Sequence, residues 1–280
     1  MARTARKNST SAGPALEERE ASRESAEGRT QSSRGDEARQ RLIAAGLEVF
    51  GKYGYEPAST RQIAEHAGVN LSAITYHFGN KAGLYEVVVR TIAEKLSRPL
   101  EPALQEVTSV LESSELTPEQ CQEWILRILD VQAQAMLSIH EREANLIVPI
   151  WIREQIDPTP AFDVMFNTIT SRMLRPCAIL MGRLLNRPPE DPECRLRVFA
   201  LVGQVVVFRL VRLAVLRTAG WEEYDQEKTL TLRKIIRQHS LAVLREVLAH
   251  PELPEIPPGA ALPAISSEEH LSGAAGFPGS

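Results

Sequence analysis

The spacing of apolar side chains is the feature that most constrains this chain. Over residues 36–249 they recur at intervals of three and four, rarely of two, and no Asn-Gly or Asp-Gly pair marks a hairpin. A period near 3.6 is typical of amphipathic helices, whereas strands alternate with a period of two. The sequence therefore predicts an all-α fold.

The two ends of the chain differ from this central part in composition. Residues 1–35 contain no aromatic side chain, and residues 250–280 hold six of the 18 prolines. Neither end has enough apolar surface to offset the entropy of ordering. We predict a disordered arm over 1–35 and a disordered tail over 250–280.

The charge of the chain is unevenly distributed. The whole sequence carries 32 Lys and Arg against 36 Asp and Glu, a net charge of −4, which is far from the basic extreme of histone-like proteins. Residues 1–98 carry 15 basic and 12 acidic residues, and the rest carry 17 and 24. The front is therefore +3 and the back −7, so the average does not exclude a polyanionic partner for the front.

Cysteine usage and hydropathy indicate where the protein works. Cys121, Cys177 and Cys194 are odd in number and widely separated, which fits neither a disulfide scaffold nor a zinc site. Residues 1–35 lack the apolar run of an export signal. The apolar run over 196–216 is interrupted by polar residues, which a bilayer span tolerates poorly. These are Arg197, Gln204, Arg209 and Arg212. We expect a reducing compartment and no membrane partner.

The periodicity predicts four helices in the front part of the chain, over 36–53, 60–67, 72–78 and 80–97. Ser59 has the spacing of a capping box with Gln62, and either Asn70 or Ser72 can cap the third helix. Longer helices are predicted further along, over 103–113, 118–141, 144–156, 160–186, 192–218 and 226–249. Pro149 and Pro176 are expected to kink or divide two of these.

The segment TRQIAEHAGVNLSAITYHF, residues 60–78, indicates a helix-turn-helix. Ala64 supplies the small residue that two crossing helices need, and Gly68 lies where the turn requires a positive φ. The inward spacing is occupied by Ile63, Ala67, Val69 and Ile74. In such a motif the second helix enters the major groove of DNA.

The residues left facing outward are the predicted DNA contacts. The second helix offers small hydroxyl and methyl groups for base edges and two aromatic side chains for phosphates. Helix N-termini with nearby cations would bind further phosphates. The predicted set is Thr60, Arg61, Asn70, Ser72, Ala73, Thr75, Tyr76, His77 and Lys81.

The segment RLIAAGLEVFGKYGYEPASTRQIAEHAGVNLSAITYHFGNKAGLYEVVV resembles the DNA-binding domain of the TetR family over residues 37–98. The back half resembles the C-terminal domain of the CecR-like regulators at Phe162-Asp163, at 186–192 and at 201–205. The resemblance implies a three-helix helix-turn-helix domain over 36–98 and a larger helical effector-binding and dimerisation domain over 99–249. It also implies a cytoplasmic, nucleoid-associated homodimer on a palindromic double-stranded DNA operator, released by a small-molecule effector.

A dimer interface is predicted where the segment 196–216, which is apolar on nearly every side, packs with 230–248 into a four-helix contact across a twofold axis. The candidate contacts are Val198, Val202, Val205, Phe208, Leu241 and Leu244. The alternative is a central core helix within one chain.

A small-molecule pocket is predicted from aromatic, Met and scattered polar side chains between 120 and 204. The candidates are Trp124, Met136, His140, Trp151, Phe162, Met165, Phe166 and Gln204. The alternative for each apolar member is a plain core position. An apolar pocket of this kind would suit a drug-like or amphipathic compound.

Two other motifs fail at a required position. The segment 46–53 resembles a phosphate-binding loop but has Tyr53 where a hydroxyl must bind magnesium, and His140-Glu141 begins a zinc-protease motif that lacks its second His at Ala144. We therefore expect no cofactor, no metal and no catalytic residue. Two hypotheses remain, a ligand-responsive transcriptional repressor, or an enzyme or adaptor that retains the helix-turn-helix only for packing.

Overall fold

The computed structural model describes residues 35–113 and 115–253, and these contain helices and no strand. The predicted all-α fold is therefore confirmed. The predicted arm over 1–35 and tail over 250–280 lie almost wholly outside the described residues.

Four helices form the front part of the chain: α1 over 35–53, α2 Thr60–Ala67, α3 Ser72–Phe78 and α4 Lys81–Ser97. After a 3-10 turn, Arg98–Leu100, the helices are α5 Glu101–Ser113, α6 Pro118–Leu137, α7 Glu141–Ile156, α8 Ala161–Met165, α9 Ser171–Leu185, α10 Pro192–Leu210, α11 Arg212–Ala219 and α12 Gln226–Ala249. A π-helical segment, Phe166–Thr170, joins α8 to α9.

Two predicted helices are divided at places that the prolines did not indicate. Pro149 and Pro176 lie inside α7 and α9, and both helices continue through them. The predicted helix over 160–186 instead contains the π-helical segment. The predicted helix over 192–218 is broken after Leu210, where α10 and α11 meet at 75°.

The break between the predicted helices over 118–141 and 144–156 lies earlier in the chain than expected. α6 ends at Leu137, and His140 caps α7, its Nδ1 accepting a hydrogen bond from the Arg142 amide at 3.3 Å. An N-cap side chain satisfies a backbone N–H that the helix leaves without a partner.

Two apolar cores organise these helices. The first, the head core, lies among α1 to α4 and is formed around Leu42, Phe50, Ile63 and Leu84, all fully buried. The second, the body core, lies among α5, α6, α9, α10 and α12. Side chains of α7 and α8 complete the head core, so these two helices join the head to the body. They are Ile147, Ile150, Ala161 and Met165.

The three cysteines lie in the interior. Cys121, Cys177 and Cys194 are buried free thiols, and burial raises the pKa of Cys177 to about 12.

Among the described residues, no single helix is long and apolar enough to cross a bilayer. The bent pair of α10 and α11 meets that requirement by length and composition only.

Candidate nucleic-acid interface

Local interactions build the turn between α2 and α3. Ser59 Oγ accepts a hydrogen bond from the Gln62 amide at 3.1 Å, which starts α2. Gly68 ends it with φ +62° and ψ +40°, a left-handed conformation that costs other residues free energy. Ala64 is buried at the crossing, where its carbonyl accepts a hydrogen bond from the Val69 amide at 3.0 Å. The predicted helix start at Ser59, the burial of Ala64 and the positive φ of Gly68 are confirmed.

The third helix is anchored on one side and open on the other. Ile74 is 2% exposed in the head core. Asn70 Oδ1 accepts hydrogen bonds from both the amide and the hydroxyl of Ser72, each at 2.9 Å. The N-cap position is occupied by Leu71, which has no capping side chain, so neither predicted residue is the N-cap. The Asn70 side chain is engaged in the turn before α3.

The outward face of α3 presents an uneven set of side chains. Tyr76 is 84% exposed, and Ser72 and Thr75 are also exposed. Ala73 and His77 are half-buried, and the His77 ring meets the Tyr76 ring edge-on at 4.8 Å. Tyr76 therefore projects furthest from the protein, while His77 supports it from the side.

The predicted phosphate contacts at the helix starts are held by the protein's own groups. Arg61 is paired with Glu65 at 3.0 Å, in a pair so exposed that it contributes little to stability. Lys81 Nζ donates to the Glu56 carbonyl at 3.0 Å and lies 4.5 Å from the centre of the Tyr55 ring. Thr60 is half-buried at the first turn of α2.

Two cations that the sequence reasoning missed lie beside this surface. The Arg39 guanidinium lies over the Phe78 ring at 5.5 Å. The Nη1 atom of Arg41 lies 4.0 Å from the position that a Cβ on Gly68 would occupy, so its side chain lies beside the turn between α2 and α3. Their signal in the sequence was their position in the first turns of α1. Residues 35–98 as a whole carry eight basic and seven acidic residues. Phosphate binding by the head would therefore depend on individual cations near α2 and α3 rather than on its net charge.

The predicted dimer contacts lie mostly inside the chain. Val198, Val202, Val205 and Leu244 are at most 8% exposed in the body core, and Phe208 and Leu241 are half-buried against it. These four side chains pack within one protomer, which is the arrangement that the alternative of a central core helix describes. The opposite face of α10 is apolar and exposed instead. Its residues are Leu196, Phe199, Ala200, Gly203, Val207 and Leu210.

The predicted effector residues do not converge on one pocket. Trp124 and Met136 belong to the body core, whereas Met165 belongs to the head core. Trp151 packs against both cores, and Phe162 stacks on Phe166 at 6.0 Å. His140 lines two small cavities, and the buried Gln204 Oε1 has no hydrogen-bond partner among the described residues. Four of the eight, Trp124, Met136, Trp151 and Met165, lie in or against the two cores, as the alternative interpretation stated for the apolar members.

Polar contacts join α7 to the head. The Tyr85 hydroxyl of α4 donates to Glu154 Oε1 at 2.7 Å, and Arg153 donates to the carbonyls of Phe50 and Gly51 at the end of α1. Gly51 is required there, because a Cβ would lie 2.8 Å from the carbonyl oxygen of Leu146. A cavity of about 770 Å³ lies at this junction, lined by residues of α1, α4 and the α7–α8 turn.

A helix-turn-helix head with an exposed second helix, fixed to a larger helical body, defines a DNA-binding transcriptional regulator. Residues 42–88 match the model of the bacterial regulatory proteins of the TetR family, and residues 124–247 match the C-terminal domain of the transcriptional dual regulator CecR. The chain belongs to the TetR family.

Individual relatives cover much of the chain. It is 30% identical over 213 residues to the HTH-type transcriptional dual regulator CecR of Shigella flexneri, covering 76% of this chain and 93% of that protein. It is 24% identical to the regulatory protein RaaS of Mycobacterium tuberculosis, over 59% of this chain and 68% of that one. A solved regulator from Rhodococcus sp. RHA1 aligns at 22% identity and a TM-score of 0.49, over 73% of this chain and 96% of that chain.

Proposed function

We propose that this protein is a ligand-responsive repressor that binds a palindromic operator as a homodimer and is released by a small-molecule effector. The observation that carries the proposal is the orientation of α3: Ile74 is buried in the head core while Tyr76, two residues on, is 84% exposed. The helix is thus rigidly held with its opposite face available for a groove. Arg39, Arg61 and Lys81 would supply phosphate contacts around it.

A dimer is proposed because one reading helix is too short to select a site. The seven residues of α3 extend about 10 Å at 1.5 Å per residue, and each base pair contributes about 1–3 kcal/mol of discrimination. The exposed face of α10, centred on Phe199 and Gly203, supports the twofold contact. Contiguous exposed apolar surface of this kind marks interaction sites.

Effector release is proposed to act through α7. This helix contributes Ile147 and Ile150 to the head core and contacts α1 and α4 through Arg153 and Glu154. A ligand that favours another position of α7 would turn the head and change the separation of the two copies of α3. In this proposal the reading head is 36–98 and the sensing and dimerising body is 99–249, and the protein acts in the cytoplasm.

A gel shift with the region upstream of the protein's own gene tests the proposed function. We expect a discrete complex whose affinity falls steeply with salt, with a scrambled fragment of equal length as the control. The absence of a sequence-selective complex at low salt would leave the enzyme or adaptor hypothesis instead.

A further inference from the structure

Arg209, near the end of α10, is a buried cation with too few partners. Its side chain is 4% exposed, and its one hydrogen bond among the described residues goes from Nη2 to the Ile139 carbonyl at 3.2 Å. A guanidinium has five N–H donors. A buried charge without a counterion is costly, so charges in protein interiors are normally paired.

Neither carboxylate that lines the cavity beside Arg209 forms an ion pair with it. Glu141 forms a bidentate pair with Arg212, at 2.9 and 3.1 Å. Glu223 is exposed and forms no ion pair in the part of the chain that the structure describes. Burial and the neighbouring Arg212 both lower the pKa of Arg209. The site thus holds two guanidinium groups and two carboxylates, of which Glu141 is bound to Arg212 and Glu223 is exposed, so Arg209 is left without an ion pair among the described residues.

A cavity of about 250 Å³ opens beside this pair of cations. Its lining includes the cations Arg209 and Arg212 and the carboxylates Glu141 and Glu223. His140 and Tyr224 also line it, and the Tyr224 hydroxyl donates to the Phe208 carbonyl at 2.8 Å. At about 30 Å³ per water molecule, the volume corresponds to about eight waters. This is room for a small organic acid, and too little for a drug-sized ligand.

We propose that this cavity binds a small oxyanion, carried by a carboxylate or a phosphate group, with Arg209 as its principal partner. The planar fork of a guanidinium matches the geometry of either group. The bound anion would pair the buried cation and lie next to His140, the cap of α7. An effect of the anion on DNA would rest on the proposed function, whereas binding itself does not.

Calorimetric titration of the full chain tests the site, with sodium benzoate and inorganic phosphate as probes and sodium chloride at equal ionic strength as the reference. We expect at least one probe to bind and to raise the melting temperature. Arg209→Met should abolish this binding, and Arg209→Lys should weaken it roughly tenfold because the fork is lost. Arg195→Met, an exposed arginine on the same helix, is the matched control and should bind as the unaltered protein does.

The variants also carry an internal check on folding. Arg209→Met removes a buried unpaired charge, so its melting temperature without anion should be no lower than that of the unaltered protein. If Arg209→Met does not fold, the affinity of Arg209→Lys for the anion tests the site instead. Absence of binding by both probes, or equal binding by the folded Arg209 variants, would overturn the site. The titration needs no DNA, so a failure of operator binding would not be mistaken for a failure of the site.

Discussion

The Tyr85 hydroxyl donates a 2.7 Å hydrogen bond to the carboxylate of Glu154, and both residues are buried between the head and the body. Thr159 completes this contact, since its amide and hydroxyl donate to the same carboxylate at 3.0–3.1 Å. The reading head is therefore fixed to α7 by a buried charge-assisted bond as well as by apolar packing. Such a bond has a defined geometry and transmits a displacement of α7 to α4.

Tyr85→Phe should destabilise the protein by about 1.5–3 kcal/mol, the contribution of a hydrogen bond to a charged group. Denaturant unfolding monitored by circular dichroism measures the change. Tyr55→Phe is the matched control, because the Tyr55 ring lies 4.8 Å from that of Tyr85 and its hydroxyl has no hydrogen bond among the described residues. Equal effects of the two substitutions would show that the bond to Glu154 contributes nothing.

The same contact makes stability depend on alkaline pH. Burial and Glu154 raise the pKa of Tyr85 far above its usual value of about 10. Above pH 10 the unfolded chain therefore loses a proton that the folded chain retains, so stability falls as pH rises. Melting temperatures between pH 8 and about 11 should decline more steeply for the unaltered protein than for Tyr85→Phe. Parallel declines would refute this assignment.

Tyr76→Ala and Lys81→Ala should weaken operator binding without changing the oligomeric state. Loss of Tyr76 is expected to cost about 1–3 kcal/mol, and loss of Lys81 should reduce the slope of log affinity against log salt by about 1. Fluorescence anisotropy with a labelled operator measures both effects. Tyr53→Ala, at an exposed tyrosine on α1, should bind normally. Loss of the dimer in either variant would mean that these side chains are misplaced.

Phe199→Lys should convert the proposed dimer to a monomer. Phe199 is 45% exposed in the centre of the apolar face of α10, and a charge buried there against a second copy would lack a partner. Light scattering after size-exclusion chromatography gives the mass directly. Ile156→Lys alters another exposed apolar residue, 78% exposed at the end of α7, and should remain dimeric. A dimeric Phe199→Lys protein would place the interface elsewhere.

The head was predictable because its signals are local. Ser59, Gly68 and Ile74 act within a few residues of their own position, so spacing alone identified the cap, the turn and the inward face. The hydrogen bond between Asn70 and Ser72 also spans only two residues, although the N-cap position itself falls on Leu71. Spacing also predicted that Tyr76 faces outward, and it is exposed, whereas the positions of Arg39 and Arg41 beside α2 and α3 depend on how α1 packs against them.

The body was less predictable because its signals depend on packing between distant segments. α10 is apolar on both faces, and the sequence alone cannot say which face meets its own chain. The structure buries Val198 and Val205 and exposes Phe199. The break after Leu210 likewise places Arg209 and Arg212 against the start of α7, about 70 residues earlier in the chain.

The central claim is that two copies of α3, held at a fixed separation, read two half-sites. The most direct measurement compares the affinity for the operator with that for the same operator carrying about five extra base pairs between the half-sites, half a turn of DNA. We predict that the insertion reduces the affinity to that for unrelated DNA, because only one head can then reach its site. Equal affinity for the two fragments would contradict the account.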